Sequence, residues 1–366
     1  MKINLDNLKR DEQIVLSLES IYESFGYRKF KMSSFEEYSM YLNNSDFLLS
    51  ENVITFSSKS GKLLALRPDV TLSIVKNAKP NGSSCEKLYY SENVYRQLSQ
   101  SGDFKEIEQT GVEIIGNIDN YSYVEVIQLA LKSLETIGEN YVLDVSNMNV
   151  ISAFLSLFDT SIQEIVYELL KSKNIDDFKK LALQNSLSNQ LILAFESLCL
   201  CHGLLNDSIN YLENLKFNDN LYEKVCEFIE LLKVLQNQEN GDKLNINFSI
   251  KSNVDYYNGL IFNGFVNGIP KAVLSGGRYD KLLAKFNKKA GAIGFAVYIG
   301  EIERYLENTQ ISTDILIIYD DTADFNMLMK HVISLQKQGY SVRVDKALPQ
   351  NFVYKKLMKF NEKGLN

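Results

Sequence analysis

The stretch from Leu66 to Gly116 constrains the fold most, because it predicts a short helix followed by two long strands. Pro68 favours an extended backbone at Arg67 and allows a helix to begin directly after it. The segments Lys87–Arg96 and Phe104–Gly116 then have the character of strands joined by a polar loop.

Polar residues recur along this stretch at spacings that predict a pocket. Gln109, Gly111 and Glu113 fall on one face of the second strand, since side chains alternate with a period of two. A glycine between two polar side chains lets a ligand approach the backbone closely. Asp69 and Thr71 lie in the first turn of the preceding helix, where an acid is favoured by the helix dipole. A small charged ligand fits this set, although a strand whose polar face meets water explains the strand residues equally well.

Composition narrows the class of protein. The chain has 366 residues, 45% of them hydrophobic, which indicates two or three domains with real cores. Lys and Arg number 39 against 46 Asp and Glu, so the net charge of −7 provides no bulk attraction for nucleic acid. No apolar leader and no run of about 18 apolar residues occurs, so we expect a cytoplasmic protein without a membrane span.

Four cysteines, Cys85, Cys199, Cys201 and Cys226, form no CxxC pair and no dense framework. This spacing is typical of reduced thiols in a cytosolic protein. Cys199, Cys201 and His202 are the one candidate metal cluster, but a metal needs more ligands at workable spacing. We therefore expect an apolar helix holding buried cysteines, with no metal and no cofactor.

The remaining chain divides by its periodicity. Asp11 starts a helix to about Phe25, and strand-like segments flank the turn Ser57–Gly61. From about 151 to 240 apolar residues recur at helical spacing without a proline, which predicts a helical insertion. Strands then return. Beyond about 311 the pattern strand, helix, strand and final helix predicts a small α/β unit over 311–366, leaving a core over 1–310.

Six motifs in order resemble the catalytic core of histidyl-tRNA synthetase: LRPDVT, NVYR, EQTGVEIIG, DYYNG, SGGRYD and GAIGFAVYIGEIE. The resemblance covers most of residues 1 to 306. It implies an α+β fold of the class II aminoacyl-tRNA synthetase type, an antiparallel sheet flanked by helices, and a dimer. Ser33 stands where the dimer motif of the synthetases usually has a proline.

The chain departs from the synthetases on the ATP side of the site. Ser252 replaces the arginine that promotes attack on ATP, and Leu98 replaces the acid that holds adenine. Asp103 replaces a loop arginine. Glu301 replaces the arginine that clamps the γ-phosphate, with Arg304 one helical turn away. Losing one oriented donor of this kind costs about 10²–10³ in rate, so we expect no adenylate chemistry and no catalytic residue.

The amino-acid side keeps the family pattern. By resemblance, the residues expected to hold histidine are Asp69, Thr71, Arg96, Gln109, Glu113, Tyr256 and Tyr257. A buried acid beside an imidazole is physically reasonable, because it favours a ring that donates an N–H group or is protonated.

This combination is similar to the family of ATP phosphoribosyltransferase regulatory subunits, synthetase paralogues without ligase activity. The resemblance implies a partner, the short-form catalytic subunit, in a hetero-oligomer built on synthetase-like dimers. It also implies a role in the first step of histidine biosynthesis and feedback inhibition by histidine. Two alternatives stay open: a divergent histidyl-tRNA synthetase that forms histidyl-adenylate, and an unrelated sensor of another amino acid on the same scaffold.

Overall fold

The computed structural model describes a large part of the chain as two compact units. The described residues are 8–43, 53–80, 84–97, 103–213, 215, 217–250, 257–305, 312–350, 352–361 and 364–365. The larger unit is Leu18–Ile302, and the smaller combines Met1–Ser17 with Glu303–Asn366. The first helix, α1 (Arg10–Ser24), contributes residues to both units.

The larger unit is built on a mixed sheet. Its strands are β1 (Arg28–Lys29), β2 (Phe35–Glu37), β3 (Thr55–Ser57), β4 (Leu63–Leu66), β5 (Glu86–Gln97), β6 (Phe104–Gly116), β7 (Tyr141–Asn147), β8 (His202–Leu204), β9 (Leu244–Asn247), β10 (Leu260–Val266), β11 (Leu274–Arg278) and β12 (Gly291–Tyr298). Among the described residues, nine of these strands form one sheet in the order β1-β5-β6-β12-β11-β10-β7-β9-β8, and β2-β4-β3 form a second. The pairs β1–β5 and β7–β9 are parallel, and the other neighbours in the large sheet run antiparallel. The expected antiparallel sheet therefore gains a parallel pair towards each edge.

Helices cover the large sheet, and in the sequence they lie between its strands. They are α2 (Tyr38–Leu42), α3 (Thr71–Asn77), α4 (Asn120–Ile137), α5 (Met148–Leu155), α6 (Thr160–Lys171), α7 (Ile175–Gln184), α8 (Asn189–Leu200), α9 (Leu205–Glu213), α10 (Asp219–Gln236), α11 (Asp280–Lys285) and α12 (Ile299–Ile302). A capping box starts α4, in which Asp119 accepts from the Ser122 backbone N–H at 2.9 Å. Helix α4 packs so closely on the sheet that a Cβ on Gly264 would lie 2.6 Å from Leu134. One face of the sheet is thus filled by α4, and the opposite face is left for the pocket.

The insertion between β7 and β9 consists mainly of α5–α10, as its periodicity predicts. Its core contains Phe178 and Phe195, whose rings stack at 3.8 Å. Cys199 and Cys201 are buried there, in agreement with the expected structural role. Strand β8 was not predicted, because its three residues become a strand only by pairing with β9 at the edge of the sheet.

The smaller unit contains β13 (Thr313–Tyr319), α13 (Phe325–Lys337), β14 (Val342–Asp345), β15 (Tyr354–Asn361) and β16 (Gly364–Leu365). In the described part of this unit, the strand order is β14-β13-β15-β16. The predicted final helix is wrong, since this segment is β15, parallel to β13. Met358 and Phe360 alternate with the exposed Leu357 and Lys359, and both pack in the core that α13 covers.

Candidate functional site

Glu113 is the centre of the candidate site. It lies on β6, between Leu88 of β5 and Gly294 of β12 in the sheet register. Its side chain is 2% exposed, and it accepts hydrogen bonds from Thr71 Oγ1 at 3.0 Å and from the Tyr279 hydroxyl. A Cβ on Gly294 would lie 1.8 Å from Glu113 Oε2, so only a glycine leaves room for this carboxyl group.

Burial raises the pKa of Glu113 to about 8. The hydrogen bonds from Tyr279 and Thr71 act in the opposite direction, and the charge of Asp69 adds to the rise. Near neutral pH this carboxyl group therefore holds its proton for much of the time, and a positively charged or proton-donating ligand would favour its ionised form.

Asp69 is the second acid of the site. Its Oδ1 accepts from the Leu72 backbone N–H at 2.9 Å, at the start of α3. Burial raises its pKa, while the Leu72 amide and the Arg96 guanidinium act to lower it. Arg96 is fixed beside it, because its Nε donates to Pro68 O at 2.8 Å. Two carboxyl groups with raised pKa values thus lie near each other, with one arginine at the edge.

Tyrosines form the remaining wall. Tyr90 is buried, and its hydroxyl oxygen would lie 2.7 Å from a Cβ on Gly111, the glycine between the two polar residues of β6. Tyr257 and Tyr298 both hydrogen-bond to Ser275, and burial raises the pKa of each. These groups remain neutral donors and acceptors at physiological pH, suited to a polar ligand of small size.

The structure brings most of the predicted site residues together. Thr71 contacts Glu113 directly, and electrostatic interactions connect Asp69 with Arg96, Glu113 and Tyr257. Gln109 is buried on the same face of β6, and its register partner on β12 is Tyr298. The further predicted residue Tyr256 lies outside the described residues, as do the departures Leu98 and Ser252.

Three site residues were missed by the sequence reasoning: Tyr90, Tyr279 and Tyr298. Tyr279 belongs to the SGGRYD motif, so the motif itself carried a signal. Tyr90 and Tyr298 become recognisable only from the register, which places them opposite Gly111 and Gln109.

We searched the described residues for a metal site and for a membrane-spanning helix. Among these described residues, no three or more His, Cys, Asp or Glu side chains are grouped so that they could hold a metal ion. None of the described helices is both long enough and apolar enough to cross a membrane.

Comparison with known proteins identifies the family. Residues 3–302 match the family model for histidyl-tRNA synthetase. The chain is 33% identical, over 294 residues, to an ATP phosphoribosyltransferase regulatory subunit of Caldanaerobacter subterraneus, a match that covers 77% of this chain and 75% of the relative. The chain belongs to this family of regulatory subunits. A further regulatory subunit, from Clostridium kluyveri, is 26% identical over 96% of this chain and 94% of its own length.

The chain is also similar to a histidine–tRNA ligase and to two solved structures. A histidine–tRNA ligase of Methanocaldococcus jannaschii is 27% identical over 99% of this chain and 90% of its own length. A solved structure described as a regulatory subunit/histidyl-tRNA synthetase, from Bacillus halodurans, has a TM-score of 0.78 at 23% identity and covers 96% of this chain and 93% of that one. An ATP phosphoribosyl transferase complex from Thermotoga maritima has a TM-score of 0.63 at 18% identity and covers 79% of this chain and 97% of that one. These likenesses confirm the predicted synthetase-like fold.

Proposed function

We propose that this regulatory subunit binds histidine in the pocket around Glu113 and transmits feedback inhibition to a separate catalytic subunit of ATP phosphoribosyltransferase. The observation that carries the proposal is the buried Glu113, held by Thr71 and Tyr279, with Asp69 beside it. A free amino acid with a basic side chain supplies positively charged N–H donors, and two carboxyl groups can accept hydrogen bonds from such donors.

Each acid has a role in this proposal. Asp69 receives the ammonium group, whose fixed positive charge offsets the cost of keeping a carboxylate buried. Glu113 receives the imidazole ring. The pKa of Glu113, about 8, is close to the ordinary imidazole pKa of about 6.5. One proton can therefore be shared between the carboxyl group and the ring near neutral pH. Arg96, at the edge of the pocket, pairs with the ligand carboxylate.

We propose that Gln109, Tyr256 and Tyr257 complete the histidine site, and Tyr256 is included because of the family resemblance. The tyrosine hydroxyl groups supply neutral hydrogen bonds to the ring and the amino group. A site of this kind holds its ligand without a reacting group, so catalysis takes place in the partner.

The proposed partner is the short-form catalytic subunit. The Thermotoga maritima relative is described as part of an ATP phosphoribosyl transferase complex, which supports a hetero-oligomer for this chain as well. The synthetase-like fold supports self-association into a dimer within that assembly. The free cysteines Cys85, Cys199, Cys201 and Cys226 support a cytoplasmic location. The net charge of −7 supports the absence of nucleic acid among the partners.

A divergent histidyl-tRNA synthetase is the second candidate, favoured by the likeness to the Methanocaldococcus jannaschii ligase. Adenylate formation needs fixed positive charge where the triphosphate lies. Asp103 and Glu301 place negative charge in that part of the chain. ATP–pyrophosphate exchange with histidine separates the two functions, and sustained exchange would support the synthetase.

Reconstitution tests the regulatory role. The chain is co-purified with a short-form ATP phosphoribosyltransferase, and activity is measured with and without the chain and with and without histidine. We expect the chain to raise activity and to make it histidine-sensitive. A catalytic subunit that is fully active and fully histidine-sensitive alone contradicts the proposal.

Calorimetry tests the pocket separately. Glu113→Ala should reduce histidine affinity by at least about tenfold, the effect of losing a hydrogen bond to a charged group. Glu106→Ala, the same change at an exposed acid on the same strand, is the matched control and should bind as the unmodified chain does. Equal affinities for all three proteins would show that histidine binds elsewhere.

A further inference from the structure

Lys288 lies in the short segment between α11 and β12, and its backbone is fixed by the end of α11. Asn287 takes the left-handed conformation, with φ 55°, directly after the helix. The Asn287 N–H donates to Ala284 O and the Lys288 N–H to Leu283 O, both at 3.0 Å. This pair of bonds is the Schellman motif, which satisfies the last carbonyl groups of α11.

The ammonium group of Lys288 binds the C-terminal end of another helix, α3. Its Nζ donates to the backbone oxygens of Val75, Lys76 and Ala78, with 2.9 Å to Lys76 O. An ammonium group has three N–H donors, so these three acceptors satisfy it completely. The last carbonyl groups of a helix lack partners within the helix and carry partial negative charge, so a cation is favoured there.

Both helices that Lys288 connects begin at the candidate site. Thr71 is the first residue of α3 and donates to Glu113 Oε1 at 3.0 Å. Tyr279 lies directly before α11 and donates to Glu113 Oε2. The two helices also share one buried core. Glu113 therefore joins their N-terminal ends, and Lys288 joins their C-terminal ends.

The middle of α3 has a different attachment. Glu36 of β2 accepts from Ser73 Oγ at 2.8 Å and from Lys76 Nζ at 2.7 Å. These bonds hold α3 to the second sheet, whereas Lys288 holds it to α11. An apolar side chain in place of Lys288 would leave the carbonyl groups without this donor, at a cost in free energy.

We propose that Lys288 is a positioning residue for the ligand site: its ammonium group holds the C-terminal ends of α3 and α11 together and so keeps Thr71 and Tyr279 against Glu113. Without this link the two helices can separate at that end, and both donors no longer stay within hydrogen-bond distance of the carboxyl group. The carboxyl group then loses bonds that favour its ionised form. The proposal rests on the proposed function only for the identity of the ligand, histidine.

The pKa of Glu113 tests the proposal without any ligand. It is measured by nuclear magnetic resonance with ¹³C-labelled glutamate, and the signal is assigned by its absence from the Glu113→Gln protein. Lys288→Met removes the charge and keeps most of the side-chain volume. We expect the pKa of Glu113 to rise above that in the unmodified chain, because the bonds from Tyr279 and Thr71 lower it.

Calorimetry with histidine on the same proteins gives the second measurement. Lys288→Met should lower the affinity about tenfold, the effect of displacing one hydrogen bond to a charged group. Lys289→Met is the matched control, since it removes the same charge at the exposed neighbouring position. It should leave both the histidine affinity and the pKa of Glu113 unchanged.

Chemical rescue separates positioning from a loss of packing. Lys288→Ala leaves space for n-propylammonium, which supplies the missing part of the side chain with its charge and three N–H donors. This ion should restore the pKa of Glu113 and the histidine affinity. Tetramethylammonium has the same charge but no N–H donor and should restore neither.

Lys288→Arg is measured in parallel, so that a folding defect in Lys288→Met, seen by circular dichroism, does not decide the result. The planar guanidinium group keeps the charge but fits three converging carbonyl groups less well, so we expect a smaller shift of the same sign. An unchanged pKa of Glu113 in every folded Lys288 variant overturns the proposal, even if the variants unfold at lower urea concentration. An equal effect of Lys289→Met also overturns it. Absence of histidine binding in every protein would contradict the proposed effector, whereas the pKa of Glu113 would still decide the role of Lys288.

Discussion

Replacing Glu113 by glutamine should flatten the pH dependence of stability in this protein. The folded state raises the pKa of Glu113 from its ordinary 4.5 to about 8. Between these values the unfolded chain has released the proton while the folded chain still holds it. The folded state therefore binds more protons, and the free energy of unfolding falls as pH rises through this range. Above about pH 8 both states are ionised and this contribution is constant.

The magnitude follows from the separation of the two pKa values. Each unit corresponds to about 1.4 kcal/mol, so ionising Glu113 in the folded protein costs roughly 3–5 kcal/mol by about pH 8. A glutamine at this position does not titrate, yet it has nearly the same volume and an oxygen that can still accept from Thr71 or Tyr279. The Glu113→Gln protein should thus lack this loss.

Urea unfolding at a series of pH values from about 5 to about 9 measures the effect. The difference in unfolding free energy between the two proteins isolates Glu113, since the other titrating groups are common to both. It should change by roughly 3–5 kcal/mol across the range, in favour of the variant at high pH. Parallel pH profiles would refute the reasoning, because they would show that Glu113 has an ordinary pKa in the folded state.

Three other substitutions test the packing that supports the site. Gly294→Ala should destabilise the fold by about 2–3 kcal/mol in urea unfolding and weaken histidine binding, because its Cβ would overlap Glu113 Oε2 at 1.8 Å. Arg67 is 1% exposed and pairs with Glu92, so Arg67→Met should cost about 3 kcal/mol in the same assay, and an unchanged midpoint would contradict its role. Asp119→Ala removes the α4 capping box and should cost about 1 kcal/mol, while Asp119→Asn should recover most of it.

Local signals in the sequence were enough to predict the elements that carry the site. Pro68 indicated a helix directly after it, but α3 begins at Thr71, so Asp69, which was predicted in the first turn, lies just before the helix. The alternation along Phe104–Gly116 indicated both the strand and its polar face. These features depend on neighbouring residues alone, so they are visible before the chain folds.

Features that depend on distant pairing were missed. The segment Tyr354–Asn361 was predicted as a helix, but it lies between β13 and β16 and becomes a strand through those partners. The Tyr279 hydroxyl reaches Glu113 across 166 residues of sequence, and no local pattern shows that contact. A strand that forms through distant partners and a hydrogen-bond donor from a distant segment both require the sheet register, which the sequence does not display.

The two ends of the pocket differ in charge, and this difference favours binding over adenylate chemistry. At the inner end, Glu113 and Asp69 have raised pKa values and gain most from a ligand that brings positive charge. At the other end, the single Glu301 carboxylate lies 3.5 Å from Lys105 Nζ and 3.6 Å from Lys271 Nζ and offsets one of their two positive charges. Joining a carboxylate to ATP requires the reverse arrangement, with uncompensated cations where the triphosphate lies. A pocket charged in this way can hold a free amino acid, but it lacks the fixed positive field that would activate one.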